Sequence, residues 1–381
     1  MNDLYYLEDE KVEEFDDTSL EFEDESEDQI NEIPSEIRKL RVQAYDKSVS
    51  DLVRMVKDKE ILLTPEYQRN FIWDTNKCSL LVESILLNIP IPVIYASEEK
   101  DSVWNIVDGL QRLTALNRFI NNQFKLKGLK VLSELNNLKY DELPSKASRV
   151  LKNGNLRTIL IFNDSHPEIK YDIFMRLNSG AVKLNEQELR NCLYRGRLNQ
   201  LLKKLTHTPK FMQILGLKKP HKRMTDQEMI LRYLAFSEGY NELNNNMEGY
   251  KGATKTYLNS YFEKNQDISE VKLHQLENKF NSVIDSVYEV FGDKAFRKLN
   301  EDGYETKINK AIMDVIMISF QNYTFERIQA KKAEILLNYK EILTDQDFNK
   351  SVTQGTSDTK ALEYRLSSWI SKMESTMSTV G

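Results

Sequence analysis

Residues 105–116 read Asn-Ile-Val-Asp-Gly-Leu-Gln-Arg-Leu-Thr-Ala-Leu, NIVDGLQRLTAL. The apolar run Val103–Val107 reads as a buried strand and ends abruptly at Asp108-Gly109. A helical period follows over Gly109–Asn121, with Leu113, Leu116 and Ile120 on one face, Leu110 near it, and Gln111 and Arg112 in the first turn. First-turn amides lack intrahelical partners and carry the positive end of the helix dipole, so a strand–Gly–helix junction can hold an anion. Gly109 permits close backbone approach. Arg112 offers a bidentate phosphate donor, and Gln111 can position a water or a sugar oxygen. Asp108 can cap the helix or hold a metal ion through a bound water. The plainer alternative, a turn followed by a solvated helix face, fits the same residues.

Outward from this stretch, order is expected from near Ile33-Pro34. Ser48–Lys57 and Lys77–Asn88 have helical spacing, and Ile61–Trp73 reads as extended around Pro65. Val93–Tyr95 and Leu156–Phe162 read as strands. Glu168–Asn178 and Asn185–Arg195 read as helices about the turn Ser179-Gly180, with Asn185 and Glu188 spaced as a capping box. Beyond residue 200 strand signals nearly vanish. Amphipathic patterns take over at Asp226–Glu238, Thr254–Lys264, Ile268–Phe291, Thr306–Phe320 and Leu362–Met373, and Glu242–Gly252 reads as a loop. The expected organisation is an acidic disordered tail over 1–35, an α+β nucleotide-binding domain over 36–200 and an all-α helical domain over 201–381.

Of the 381 residues, 40% are hydrophobic and 29% charged, which fits a soluble globular protein of one or two domains. No apolar run approaches the roughly 20 residues that span a bilayer, so no membrane partner is expected. The opening residues lack the pattern of a secretion signal. Cys78 and Cys192 form neither a disulfide framework nor a zinc spacing, and a reducing cytoplasm is expected. The net charge of −6 is uneven. Residues 1–35 hold 15 Asp or Glu and one Lys, hence −14, so the rest sums to +8. Such a tail is either a solubilising segment or a mask for a basic face that meets nucleic acid.

Phosphate-binding G-x-x-x-x-G-K-[ST] and dinucleotide-binding G-x-G-x-x-G patterns are absent. His166, His207, His221 and His274 are scattered, which argues against a zinc hydrolase and leaves the metal ligands unassigned. Two further polar stretches stand out. Pro65-Glu66-Tyr67-Gln68-Arg69 sets a second Gln-Arg pair near Phe71 and Trp73, and Phe174–Gly180 carries Arg176 and Asn178. The basic run Lys218, Lys219, Lys222 and Arg223 offers contacts to DNA phosphates.

PEYQRNFIW, SILLNIPIPVIY, IVDGLQRLTAL and IFMRLNSGAVKLNEQELRN occur in that order over roughly residues 45–195. Together they resemble domain-of-unknown-function family 262, found at the N-terminus of GmrSD-type modification-dependent restriction enzymes and related phage-defence proteins. KRMTDQEMILRYLAF, with Arg223, Asp226 and Arg232, is similar to the segment that follows in the family. The family usually has Asp-Gly-Gln-Gln-Arg where Leu110 stands in place of the first Gln. Its remoter likeness is to the ParB/sulfiredoxin-like fold, where an Asn at the place of Asn178 lies near metal and phosphates. The acidic neighbour of that Asn is Leu177 in this chain.

The resemblance implies an N-terminal domain of ParB-like fold that binds a nucleoside triphosphate with Mg²⁺ and controls a nuclease, with hydrolysis of the nucleotide left open. Asp108, Gln111 and Arg112 would carry the chemistry, with Gln68, Arg69, Gly109, Arg176 and Asn178 around the nucleotide. Residues 200–381 hold three histidines without a His-Asn-His pattern, so cutting would fall to a separate nuclease subunit. Two rivals remain from the residues alone: a DNA-binding or nicking protein, and a catalytically silent interaction protein, which Leu110 favours.

Overall fold

The computed structural model describes residues 40–63, 73–99, 102–177, 185–300 and 303–378. The acidic segment 1–35, Gln68, Arg69 and Asn178 lie outside the described residues. Among the described residues, backbone contacts divide the chain into two compact units, one within residues 40–200 with 258–268, and one within residues 201–257 with 269–378. The first is α+β and the second is dominated by helices.

In the first unit the elements run β1 (Val42–Ser48), α1 (Val49–Lys57), β2 (Ile61–Leu62), α2 (Thr75–Leu86), β3 (Ile94–Glu98), β4 (Trp104–Asp108), α3 (Leu110–Ile120), α4 (Ser145–Asn153), β5 (Asn155–Ile161), α5 (Pro167–Leu177) and α6 (Glu186–Leu193). Side-chain caps fix two of the helix starts. Ser48 accepts from the Asp51 amide, and Asp74 accepts from the Lys77 amide. A mixed sheet in the order β1-β5-β3-β4-β2 carries the unit. β1 pairs antiparallel with β5, and β3 parallel with β5. β4 runs antiparallel to β3 and parallel to β2.

Alternation along β4 feeds two cores. Trp104 and Ile106 join Leu52, Val82, Leu113, Leu116 and Leu151 from α1–α4 on one face. Val107 joins Ile161, Tyr171, Phe174 and Leu189 from β5, α5 and α6 on the other. Each fully buried Leu contributes roughly 1.5–3 kcal/mol. β4 therefore sits between two helical layers, and its C-terminal end is held from both sides.

β1 and α4 carry no strong sequence signal. β1 is a sheet edge whose first three residues are exposed, so the apolar alternation that marks a half-buried strand is missing. α4 buries only Leu151 fully.

The second unit comprises α7 (Arg197–Leu205) from Leu201 on, α8 (Pro209–Leu215), α9 (Thr225–Gly239), the strand pair β6 (Tyr240–Asn241) and β7 (Asn246–Met247), and the start of α10 (Thr254–Lys264). It continues with α11 (Glu270–Phe291), β8 (Leu299–Asn300), β9 (Gly303–Tyr304), α12 (Lys310–Phe320), α13 (Phe325–Ala330), α14 (Lys332–Ile342), α15 (Gln346–Thr353) and α16 (Thr359–Ser378). The α+β unit followed by a helical one is the architecture expected from the sequence, and two short ladders stand among the described helices of the second unit. Both are two-residue pairs, too short to leave a periodic signal.

α12 is the centre of this unit. Every residue from Ala311 to Phe320 is buried, against α9, α11, α15 and α16. Its one acid, Asp314, takes a two-pronged ion pair from Arg232 of α9, at 2.9 Å on each oxygen. Arg365 of α16 adds a third contact at 3.2 Å and donates to the Ser351 and Thr356 carbonyls. Burial pushes the Arg365 guanidinium below its ordinary value, while Asp314 pulls it back. Removing one member of such a cluster leaves buried charge uncompensated, whereas apolar replacement of the whole can be neutral. Asp314→Ala is therefore expected to lower the unfolding free energy by about 3–5 kcal/mol in denaturant titration. A loss below about 1 kcal/mol would show that the triad is not holding α9 and α16 to α12.

Candidate functional site

The junction between β4 and α3 is built around one glycine. Gly109 sits at φ +95°, in the left-handed region, as the N-cap residue of α3, and no side chain caps that helix. Its carbonyl accepts from the Leu113 amide at 2.9 Å. A Cβ here would stand 3.0 Å from Ile94 Cγ1 and 3.3 Å from the Arg112 guanidinium. Backbone conformation and space both call for glycine.

Asp108 does not cap α3. Its carboxylate instead pairs with Arg112 at 2.7 Å, and Gly109 rather than Asp108 holds the N-cap position. The second terminal nitrogen of Arg112 donates to the Pro92 carbonyl. The Arg112 side chain is 11% exposed and that of Asp108 48%. Arg112 thus clamps the end of β4 to the lead-in of β3, and one face of Asp108 stays open to solvent. The β3–β4 register shifts between Tyr95 and Ala96, an irregularity of β-bulge type beside Asp108. Such shifts re-aim side chains at strand ends.

Gln111 is half-buried and accepts a long hydrogen bond, 3.4 Å, from the Trp73 amide. Leu110 packs partly buried against the first core, which accounts for an apolar residue at that place. Trp73 packs there too. Arg176 is exposed and pairs with Asp172 of its own helix at 3.2 Å. Phe174 of α5 and Leu189 of α6 pack with Val107, one residue before Asp108. The structure therefore brings Asp108, Gly109, Gln111 and Arg112 together, and leaves Arg176 on a separate surface contact.

The stretch around LNEQELRN is structural in its described part. Asn185 and Glu188 form the capping box of α6, with bonds of 2.8 and 2.7 Å. Gln187 bonds Asn191 at 2.9 Å, and fully buried Arg190 donates to Asn259, Gln187 and Glu186. Gly196 lets the chain lie against Gln266, whose backbone oxygen would be 2.2 Å from a Cβ. These contacts fix the segment 258–268 to the first unit.

A second polar cluster lies at the other end of β4, out of reach of sequence spacing. Asn105 donates to Glu99 at 2.9 Å and accepts from Arg195, which also lies 3.4 Å from Glu99. Burial raises the Glu99 carboxyl above its ordinary value, opposed by Arg195 and the Asn105 bond. Burial likewise lowers the Lys170 ammonium, whose Nζ donates to the Asn163 carbonyl. Among the described residues no group of three or more His, Cys, Asp or Glu side chains is placed to hold a metal ion.

Of the basic run, Lys218, Lys219 and Lys222 are exposed and Arg223 is half-buried. Lys219, Lys222 and Arg223 are engaged by neighbouring groups. Asp226, beside them, is buried, accepts from the His221 amide at 2.9 Å and is raised in pKa by burial. No described helix is long and apolar enough to cross a membrane.

Gly109→Ala forces an L-residue into a strained conformation and sets a methyl against Ile94. It is expected to cost about 1–3 kcal/mol, read as a lower melting temperature. A variant that melts with the parent would contradict the tight junction described above.

No curated protein and no solved structure matches the chain. Residues 49–195 match the family model of the GmrSD restriction endonuclease, N-terminal domain. This span begins at the first residue of α1 and ends two residues beyond α6, enclosing the glycine junction, its clamp and both helical layers. Over residues 49–195 the chain is therefore similar to the N-terminal domain of GmrSD restriction endonucleases.

Proposed function

We propose that this chain is a nucleotide-responsive module of a restriction system, with the triphosphate end of the nucleotide seated at the start of α3. The family match supports the restriction setting. The observation that carries the nucleotide reading is the uncapped helix start at Gly109, with the Arg112 guanidinium beside it. The amides of the first turn face away from the helix body and favour negative charge. Arg112 is already rigid, so a phosphate oxygen would meet a donor whose orientation has been fixed by Pro92 and Asp108.

A metal ion such as Mg²⁺ fits this donor set only in company with phosphates. Mg²⁺ commonly uses one or two carboxylates, several waters and substrate oxygens, and Asp108 supplies one half-exposed carboxylate. Hydrolysis would follow in-line attack of water on the terminal phosphate, with Gln111 orienting the water and Arg112 countering the developing charge. The family resemblance would add Gln68, Arg69 and Asn178, which lie outside the described residues, and Arg176 would join the site only after leaving Asp172. In this reading the cutting of DNA would fall to a separate nuclease subunit.

The test is titration of ATP, GTP, CTP and UTP with Mg²⁺, beside thermal melts. The parent should bind at least one nucleotide. Arg112→Ala should lose on the order of 2 kcal/mol of affinity, roughly thirtyfold, and Arg112→Lys should recover part of it. Because Arg112 also clamps the fold, Gln111→Ala is the companion variant. It should weaken binding or turnover while melting like the parent. A parent that binds none of the four, or an Arg112→Ala variant that binds like the parent, overturns the proposal.

A further inference from the structure

A strongly basic stretch of the first unit follows α3, beyond the end of that helix opposite the glycine junction. Residues 118–157, from the end of α3 through α4 to the start of β5, hold nine Lys or Arg against three Asp or Glu, a net of +6. Two of the three acids are engaged locally. Asp141 accepts from the Asn122 side chain, and Glu142 accepts from the Lys139 amide.

Six of the cations are Lys125, Lys127, Lys130, Lys146, Arg149 and Lys152, all exposed. None of the six forms an ion pair with a described acid. Arg149 spends only Nε, on the Ser145 carbonyl, and Lys152 lies 5.6 Å over the Tyr140 ring. In the helical unit the pattern differs. Lys204, Lys210, Lys310, Lys332 and Lys372 each face a carboxylate. A surface evolved only for solubility mixes its signs. A one-sign surface repels itself until an anion covers it.

Both halves of this surface are pinned to α2, so their cations are held by the fold. The Lys127 amide donates to Ser79, and the Val131 and Leu132 amides donate to Glu83. α4 packs on the same helix, and Gly154 at its end lies so close to Ile85 that a Cβ would be 2.4 Å away. Along α4, Lys146, Arg149 and Lys152 recur every third residue on one side and span roughly 9 Å.

We propose that this face binds the phosphate backbone of double-stranded DNA. Three classes of polyanion compete for such a surface, and the chemistry on the page selects among them. Single-stranded nucleic acid is held by exposed aromatic rings that stack bases. Here Phe119 and Tyr140 are buried and Phe124 packs against the core. An anionic membrane calls for Trp, Phe or Leu on the surface. The large apolar residues exposed on this stretch are Val131 and Val150. Duplex DNA asks for spaced cations without inserted rings, which is what this face presents. Contacts to phosphate read no sequence, so the face would position DNA and leave its discrimination to other residues.

The experiment uses the full chain and a short duplex of mixed sequence, with anisotropy titrations between roughly 50 and 200 mM salt. The parent should bind, and its affinity should fall on the order of 10³-fold across that range if all six cations meet phosphates. Changing Lys125, Lys127, Lys130, Lys146, Arg149 and Lys152 to Gln should lower affinity at the low-salt end by on the order of 10²-fold and flatten the salt slope by about five. The Lys-to-Arg version at the five lysines should retain binding and show that charge, rather than a lost fold, is being read. Lys218→Gln with Lys219→Gln serves as the comparison and should change affinity less than threefold, roughly. The proposal is overturned if the parent fails to bind duplex at low salt or if the six-Gln chain binds like the parent. It is also overturned if the Arg version loses binding, if Lys218 and Lys219 carry the effect, or if vesicles of equal parts phosphatidylserine and phosphatidylcholine are bound in place of duplex.

Discussion

A single left-handed residue sets the geometry on which the rest of the first unit depends. At φ +95°, Gly109 turns the chain from β4 into α3 in one step. That turn aims Arg112 back across the strand end, onto Asp108 and the Pro92 carbonyl. Without it the helix would leave the sheet along another line, and Leu113 and Leu116 would not reach the core they fill. The same turn leaves the first-turn amides without a side-chain cap. Structural need and the proposed ligand chemistry would therefore share one feature, and the structural role of Arg112 does not exclude the proposed one. An arginine held rigid by two acceptors presents its remaining donor edge with little ordering left to do.

The motifs distant in sequence meet at this point. Trp73 reaches Gln111, Pro92 reaches Arg112, and Phe174 and Leu189 pack on Val107. The surface proposed for DNA starts at the opposite end of α3, beyond Arg118. A nucleotide at the N-terminal end and a duplex near the C-terminal end would thus act on one rigid helix of eleven residues, Leu110–Ile120.

Much of this was legible in the sequence, for stateable reasons. The strand–Gly–helix junction declares itself because an apolar run stops at Asp-Gly and a helical period starts at once. The capping box at Asn185 and Glu188 is a local pattern and forms as its spacing suggests. What could not be read depends on contacts across sequence. Pro92 lies twenty residues from Arg112, and Arg232 meets Asp314 across eighty-two. Asp108 was legible as a polar residue at a helix start but not as a partner for Arg112, since the choice between capping and pairing is made by one backbone angle. β1 and α4 escaped because edge strands and thinly packed helices need not carry an apolar stripe.

Hydrogen–deuterium exchange at the backbone amides of Leu110, Gln111 and Arg112, with and without saturating nucleotide and Mg²⁺, tests the central claim most directly. These are the first three amides of α3, whose intrahelical partners would lie before the helix begins. Nucleotide should slow exchange at these three amides more than at the amides in the body of α3. Saturated binding that protects amides elsewhere and leaves these three unchanged would contradict the account.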